Sequence, residues 1–132
     1  MRVLAILALL LIAGCVYYFG FRRVYFSGSS PVAVELHIPP FASTNNYLVS
    51  ITNRAVCERL VSELRRASPS FGGSKVVGDL TFRFSSGATD VVRILPGPYQ
   101  KYTIFQSGTF TVATNTLFAI LADGGVDLSK IP

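Results

Sequence analysis

The side chains that could carry out catalysis or bind a metal are few and widely spaced in this sequence. His37 is the only histidine, and Cys15 and Cys57 are the only cysteines. Structural zinc needs four Cys or His ligands, and a cysteine nucleophile needs a nearby group that favours the thiolate. The acidic residues are scattered over separate predicted elements: Glu35, Glu58, Glu63, Asp79, Asp90, Asp123 and Asp127. The sequence therefore predicts no enzyme, no cofactor and no metal site.

A glycine-rich stretch at residues 72–75 is the one feature that suggests phosphate binding. It lacks the Gly-x4-Gly-Lys-Ser/Thr spacing of a phosphate loop, and it precedes a predicted strand rather than a helix. We interpret it as an ordinary loop.

The longest uncharged stretch, residues 3–21, has the length of a membrane span. As a helix it would be ~28 Å long, against ~30 Å for the hydrocarbon core of a bilayer. Arginines bound it on both sides, and aromatic residues precede the second boundary, as in the aromatic belts of membrane proteins. Residues 1–23 are therefore predicted to form a transmembrane signal anchor. The side chains expected at the membrane interface are Arg2, Tyr17, Tyr18, Arg22 and Arg23.

The same stretch has a second interpretation as a lipoprotein signal peptide. Residues 12–15, Ile-Ala-Gly-Cys, resemble a bacterial lipobox, in which Cys15 would be the lipid attachment site and the mature N-terminus. The residues after Cys15 stay apolar where a lipoprotein usually turns polar, which favours the retained anchor; cleavage and secretion is a third alternative. The short N-terminal tail favours an extracytoplasmic domain, although the flanking positive charges are nearly balanced.

The net charge of +5 is concentrated beside the apolar stretch. Three arginines flank that stretch, whereas from residue 28 onward nine basic residues face seven acidic ones. Juxtamembrane arginines commonly meet lipid headgroups. A nucleic-acid-binding protein would need basic residues clustered on its folded domain. The charge distribution predicts a membrane as partner and no nucleic acid.

Residues 24–31 are predicted to be a flexible linker, and residues 32–132 a single domain of ordinary size. Alternating apolar residues predict strands over residues 32–38 and 47–52. The first strand is expected to bury Val32, Val34, Leu36 and Ile38. Apolar residues then recur at helical spacing over residues 56–64, after a cap at Thr52 or Asn53.

Two predicted hairpins follow the helix. Each tip is a three-residue loop that ends in glycine, Gly87 or Gly108, as in a type I turn followed by a bulge. Because a register slip of one residue reverses every side chain, the apolar pattern selects one pairing. That pairing places Leu80 opposite Val92, Asp79 beside Arg93 and Ile104 opposite Phe110. A last helix is predicted over residues 116–122, with Thr114 or Asn115 as its cap.

These elements predict an α+β fold in the order β-β-α-β-β-β-β-α, after the N-terminal transmembrane helix. Four strands would form an antiparallel meander, the first two strands would extend it at an edge, and the main helix would pack on one face to give two layers. The other face is expected to be solvated. The side chains predicted on it are Thr81, Arg83, Val91, Arg93, Thr103, Phe105, Thr109 and Thr111.

An apolar anchor joined to a domain without catalytic groups predicts a membrane-anchored, non-enzymatic accessory or protein-interaction domain of a bacterial cell envelope. Its partner would be another envelope protein, and no pattern specifies an oligomeric state. The predicted partner face consists of Arg83, Arg93, Tyr99, Tyr102 and Phe105. The alternative is an envelope ligand- or polymer-binding domain tethered as a lipoprotein via Cys15, with Tyr99 and Tyr102 as its stacking groups.

Overall fold

The chain begins with one long apolar helix, α1 (Arg2–Val16), which continues into a π-helical turn (Tyr17–Phe21). None of its residues is buried against the rest of the protein. Among the described residues it is the one helix long and apolar enough to cross a membrane, a property that signal sequences share. The computed structural model describes residues 1–40, 46–70, 75–96, 102–106 and 108–132.

The rest of the described chain forms an antiparallel sheet with helices, so the fold class is α+β, as predicted. The strands are β1 (Pro31–Ile38), β2 (Tyr47–Ile51), β3 (Ser68–Pro69), β4 (Gly78–Phe84), β5 (Thr89–Pro96), β6 (Tyr102–Phe105) and β7 (Thr109–Thr111). Their spatial order is β2-β1-β4-β5-β6-β7-β3. The helices are α2 (Arg54–Arg65) and α3 (Thr114–Asp123), followed by a 3-10 turn (Leu128–Lys130).

Strand β3 is the one strand of the described chain that the predicted order lacked. It pairs with β7, with Ser68 opposite Thr111 and Pro69 opposite Phe110, at the edge of the sheet. Two residues are too few to produce an alternating pattern, and Pro69 by itself argues against a strand. At an edge, however, the missing N–H of a proline costs no ladder hydrogen bond.

The register of both hairpins is confirmed. Leu80 lies opposite Val92, and Ile104 lies opposite Phe110. The two tip glycines have positive φ angles, +86° at Gly87 and +139° at Gly108, as the bulged turn requires.

Strand β1 differs from its prediction at its first residues. Val34, Leu36 and Ile38 are buried, but Val32 is 41% exposed. The pairing of β1 with β4 shifts between Pro31 and Ala33, and this irregularity turns Val32 away from the core.

Helix α2 begins where predicted, because the Asn53 side chain accepts a hydrogen bond from the Val56 amide (3.3 Å). Its apolar stripe is buried, and it packs against β1 and α3. Helix α3 begins earlier than predicted, at Thr114, and no side-chain hydrogen bond caps it. The two helices are also joined at the surface by an ion pair between Arg59 and Asp123 (2.8 Å).

Candidate functional site

Residues 22–30, which we call the junction segment, connect the apolar helix to β1 and lie directly on the sheet. Val24 and Phe26 are buried, and the Phe26 ring meets the ring of Phe82 edge-on at 4.9 Å between centroids. Gly28 lies so close to Phe84 that a Cβ atom would overlap the ring. Most of the segment predicted to be a flexible linker is therefore packed against the domain.

Hydrogen bonds hold the junction segment to the hairpins. The Tyr25 amide donates to the side-chain oxygen of Gln106 (2.7 Å), and the Gln106 amide group donates back to the Tyr25 carbonyl (2.6 Å). Two residues further on, the amide and the hydroxyl of Ser27 both donate to the Asp90 carboxylate (2.7 Å each). At the first hairpin tip, the Ser85 amide donates to the Ser30 carbonyl (3.0 Å).

Arg22 joins the base of the apolar helix to strand β7. Its guanidinium carbon lies 4.0 Å from the ring centre of Tyr18 and 4.5 Å from that of Phe110. One terminal nitrogen also donates to the Thr109 carbonyl (3.2 Å). Arginine over an aromatic face is an attractive electrostatic contact. The base of the apolar helix is thus held against the sheet.

The other residues predicted at a membrane interface surround Arg22 or lie along the helix. Arg23 is exposed and donates to the carbonyls of Gly20 (3.1 Å) and Arg22 (2.9 Å), which belong to the C-terminal end of the helix. Tyr17 and Tyr18 are 63% and 41% exposed. Arg2 and Cys15 are also exposed, on α1.

The C-terminal end of α2 lies beside the same helix base. Strand β3, two residues after Arg66, packs against the π-helical turn. The Arg65 guanidinium lies 5.7 Å from the ring centre of Phe26 in the junction segment. Arg66 lines two surface hollows, of about 310 and 360 Å³, on either side of this helix end. Both arginines end α2, where basic side chains favour the negative end of the helix dipole, and no local pattern in the sequence relates them to the apolar helix.

A third hollow, of about 400 Å³, lies between the junction segment and strand β5. Arg22, Arg23 and Asp90 contribute its charged side chains, and Tyr25 and Gln106 contribute polar ones. Both oxygens of Asp90 already accept hydrogen bonds from Ser27. The hollow thus places two arginine side chains beside a carboxylate that is already hydrogen-bonded.

The sheet face opposite α2 carries the predicted partner residues that the structure describes. Arg83 pairs with Glu35 (3.2 Å), and Arg93 lies 3.8 Å from Asp79, the cross-strand neighbour predicted for it. Val91, on the same face, is 48% exposed. We call this surface the open face. Of the other predicted partner residues, Tyr99 and the side chains of Tyr102 and Phe105 lie outside the described part of the structure.

Thr103 departs from its prediction as a solvated residue of the open face. It is only 2% exposed. Its neighbour directly across the sheet, Leu95, is also buried. The solvated part of this face lies on β4 and β5, where Arg83, Val91 and Arg93 are exposed.

The groups most often used in catalysis do not meet within the described ranges. No three of the described His, Cys, Asp and Glu residues are close enough to hold a metal ion. His37 binds Asn46 at 2.6 Å. The Cys57 thiol is buried and donates to the Ile51 carbonyl (3.4 Å), and burial raises its pKa, so it stays protonated at neutral pH.

Comparison with protein-family models, with curated proteins and with solved structures found no match. What can be proposed for this chain therefore depends on its own geometry: a held junction at the base of an apolar helix, and an open sheet face.

Proposed function

We propose that this chain is a membrane-anchored, non-enzymatic protein-interaction domain of a bacterial cell envelope. Helix α1 and the π-helical turn cross the bilayer, and the domain stands on the extracytoplasmic side. The observation that carries this proposal is the contact of Arg22 with Tyr18 and Phe110, which fixes the domain to the end of an unburied apolar helix.

A fixed junction determines which surfaces are available to a partner. The junction segment contacts the hairpin tips, so those tips belong to the end of the sheet nearest the bilayer. The strands then run away from the membrane, and both faces of the sheet stand clear of the lipid. Helix α2 covers one face, which leaves the open face for another protein.

The chemistry of the open face suits a protein partner. Its arginines are paired with carboxylates, and the side chains of these pairs are 33–55% exposed. Exposed pairs of this kind contribute about 0–1 kcal/mol each, so a partner can replace them at little cost. Val91 adds an apolar contact between them.

Site-specific photo-crosslinking in intact membranes tests this proposal. A photoreactive residue at Val91, on the open face, is expected to give a discrete adduct with another envelope protein. The matched control is Ser62, an exposed position on α2. The same adducts from both positions, or none from Val91, Arg83 and Thr81 alike, would contradict the proposal.

Orientation is tested separately with reporter fusions at the C-terminus. An extracytoplasmic domain gives active alkaline phosphatase and inactive β-galactosidase. The reverse pattern would place the domain in the cytoplasm and would contradict an interaction with an extracytoplasmic partner.

A further inference from the structure

The arginines of the described domain fall into two groups. Four of them each have a carboxylate within 4 Å: Arg54 with Glu58, Arg59 with Asp123, Arg83 with Glu35 and Arg93 with Asp79. Those beside the helix base, Arg23, Arg65 and Arg66, form no ion pair with any described residue. Arg23, Arg65 and Arg66, which lack a carboxylate partner among the described residues, thus lie around the helix base.

The arginines around the helix base come from two distant parts of the chain. Arg22 and Arg23 follow the apolar helix directly, whereas Arg65 and Arg66 end α2. The packing of β3 on the π-helical turn, and of Arg65 over Phe26, brings the two groups to the same place. The protein therefore surrounds the base of its apolar helix with positive charge from two sides.

We propose that Arg23, Arg65 and Arg66 form, next to Arg22, a basic collar that binds the phosphate groups of anionic lipid headgroups. This inference rests on the proposed membrane anchoring, because it places the collar at headgroup level. A guanidinium presents paired N–H donors that match two phosphate oxygens. Each arginine near an anionic membrane surface changes lipid binding by about fivefold.

Carboxylates near the collar offset only part of its charge. Asp90 keeps its negative charge while it accepts hydrogen bonds from Ser27, and Glu58 is paired with Arg54. Glu63 lines the same hollow as Arg66 but lies more than 4 Å from it. The collar keeps a net positive charge, and its hollows are open to solvent or lipid.

The full chain, purified in nanodiscs that mix phosphatidylcholine with phosphatidylglycerol, provides the test. Native mass spectrometry measures which lipids stay bound. The wild type is expected to retain mainly phosphatidylglycerol. The double variant Arg65→Gln/Arg66→Gln should lower this preference by about 25-fold, from two contributions of about fivefold each. Arg65→Lys/Arg66→Lys, which keeps the charge, should restore most of it.

The matched control is Arg59→Gln/Arg93→Gln, which removes the same amount of charge at two positions where the arginine is paired with a carboxylate. It should keep the wild-type preference. An equal loss in both double variants would show an effect of net charge alone and overturn the collar, as would an unchanged preference in Arg65→Gln/Arg66→Gln. Inorganic phosphate should not displace the lipid; displacement would reassign the site to a soluble phosphate.

Carbonate extraction of native membranes separates this inference from the proposed function. Release of the chain into the supernatant would contradict the anchor itself. A retained chain without lipid preference in nanodiscs would contradict the collar and leave the anchor standing.

Discussion

The guanidinium of Arg22 lies over the ring of Phe110, 4.5 Å from its centre, although the two residues belong to opposite halves of the chain. Phe110 is only 1% exposed and belongs to the core of the sheet. The Arg22 side chain, at the base of the apolar helix, is therefore held against a residue of the buried core. Motion of the helix relative to the sheet must first break this contact.

Replacing Arg22 with Gln removes two ring contacts and the hydrogen bond to Thr109. Cation–π contacts contribute about 0.5–2 kcal/mol, depending on how far they are desolvated. We expect Arg22→Gln to lower the free energy of unfolding of the domain by about 1–2 kcal/mol, as measured by urea denaturation of the full chain in detergent. Arg23→Gln, which loses only bonds to its own helix end, should stay within about 0.5 kcal/mol of wild type. An equal loss of unfolding free energy in Arg22→Gln and Arg23→Gln would contradict the fixed junction.

The two hairpin glycines offer a second test of the same contact. Both have positive φ, so alanine strains either turn by about 1–2 kcal/mol. At Gly87 a Cβ atom meets nothing within 4 Å, whereas at Gly108 it overlaps the guanidinium of Arg22. Gly108→Ala should therefore lower the free energy of unfolding more than Gly87→Ala does.

A double-mutant cycle isolates the contribution of Arg22 to that difference. In an Arg22→Ala background, the cost of Gly108→Ala should fall to that of Gly87→Ala, because the overlapping group is gone. A cost of Gly108→Ala that does not depend on residue 22 would mean that backbone strain alone explains it.

The hairpins show what the sequence could predict. A sheet with one buried face has a period of two, so Leu80 and Val92 had to share the core side, and the position of Gly87 fixed the turn. The exposed pair of Asp79 with Arg93 then followed from the register without any further information.

Other features depended on contacts between distant segments. Serine and glycine in residues 24–31 indicated a spacer, and the alternation of Val24 and Phe26 around Tyr25 was the one local signal of packing. Arg59 has Glu63 four residues away, yet it pairs with Asp123, which only the packing of α3 on α2 brings within reach. The collar has the same origin, since no local pattern relates Arg65 to Arg22.

The stability of the domain should decrease at alkaline pH through Cys57. Burial raises the pKa of this thiol above its ordinary value, so the folded state holds the proton more tightly than the unfolded state. Its contribution is fully present below the ordinary thiol pKa of about 8.5 and is lost as pH rises through the folded pKa. Cys57→Ala should show a smaller decrease of unfolding free energy with pH in this window. If the free energy of unfolding decreased equally with pH in the wild type and in Cys57→Ala, the result would contradict a buried, protonated thiol.

A charge reversal on the open face should abolish contact with the partner and leave the domain folded. Arg83→Glu breaks an exposed pair with Glu35 and should cost less than about 1 kcal/mol of stability. The adduct formed from Val91 should nevertheless disappear, because the charge presented to the partner is reversed. Arg59→Glu, which breaks an equally exposed pair on the helical side, is the control and should keep the adduct. Loss of the adduct in both variants would point to a general effect of charge.

The last prediction concerns the way in which the chain is held at the membrane. Cys15 is exposed on α1, and the helix continues without interruption through the π-helical turn to the Arg22 junction. If the whole helix crosses the bilayer, Cys15→Ser should leave membrane retention unchanged, because the substitution alters one side chain among about twenty in the span. Intact-mass measurement of the wild type should then show an N-terminus at or beside Met1. A lipidated N-terminus at residue 15, together with loss of retention in Cys15→Ser, would instead identify the chain as a lipoprotein, and the junction at Arg22 would then begin only seven residues from the lipid.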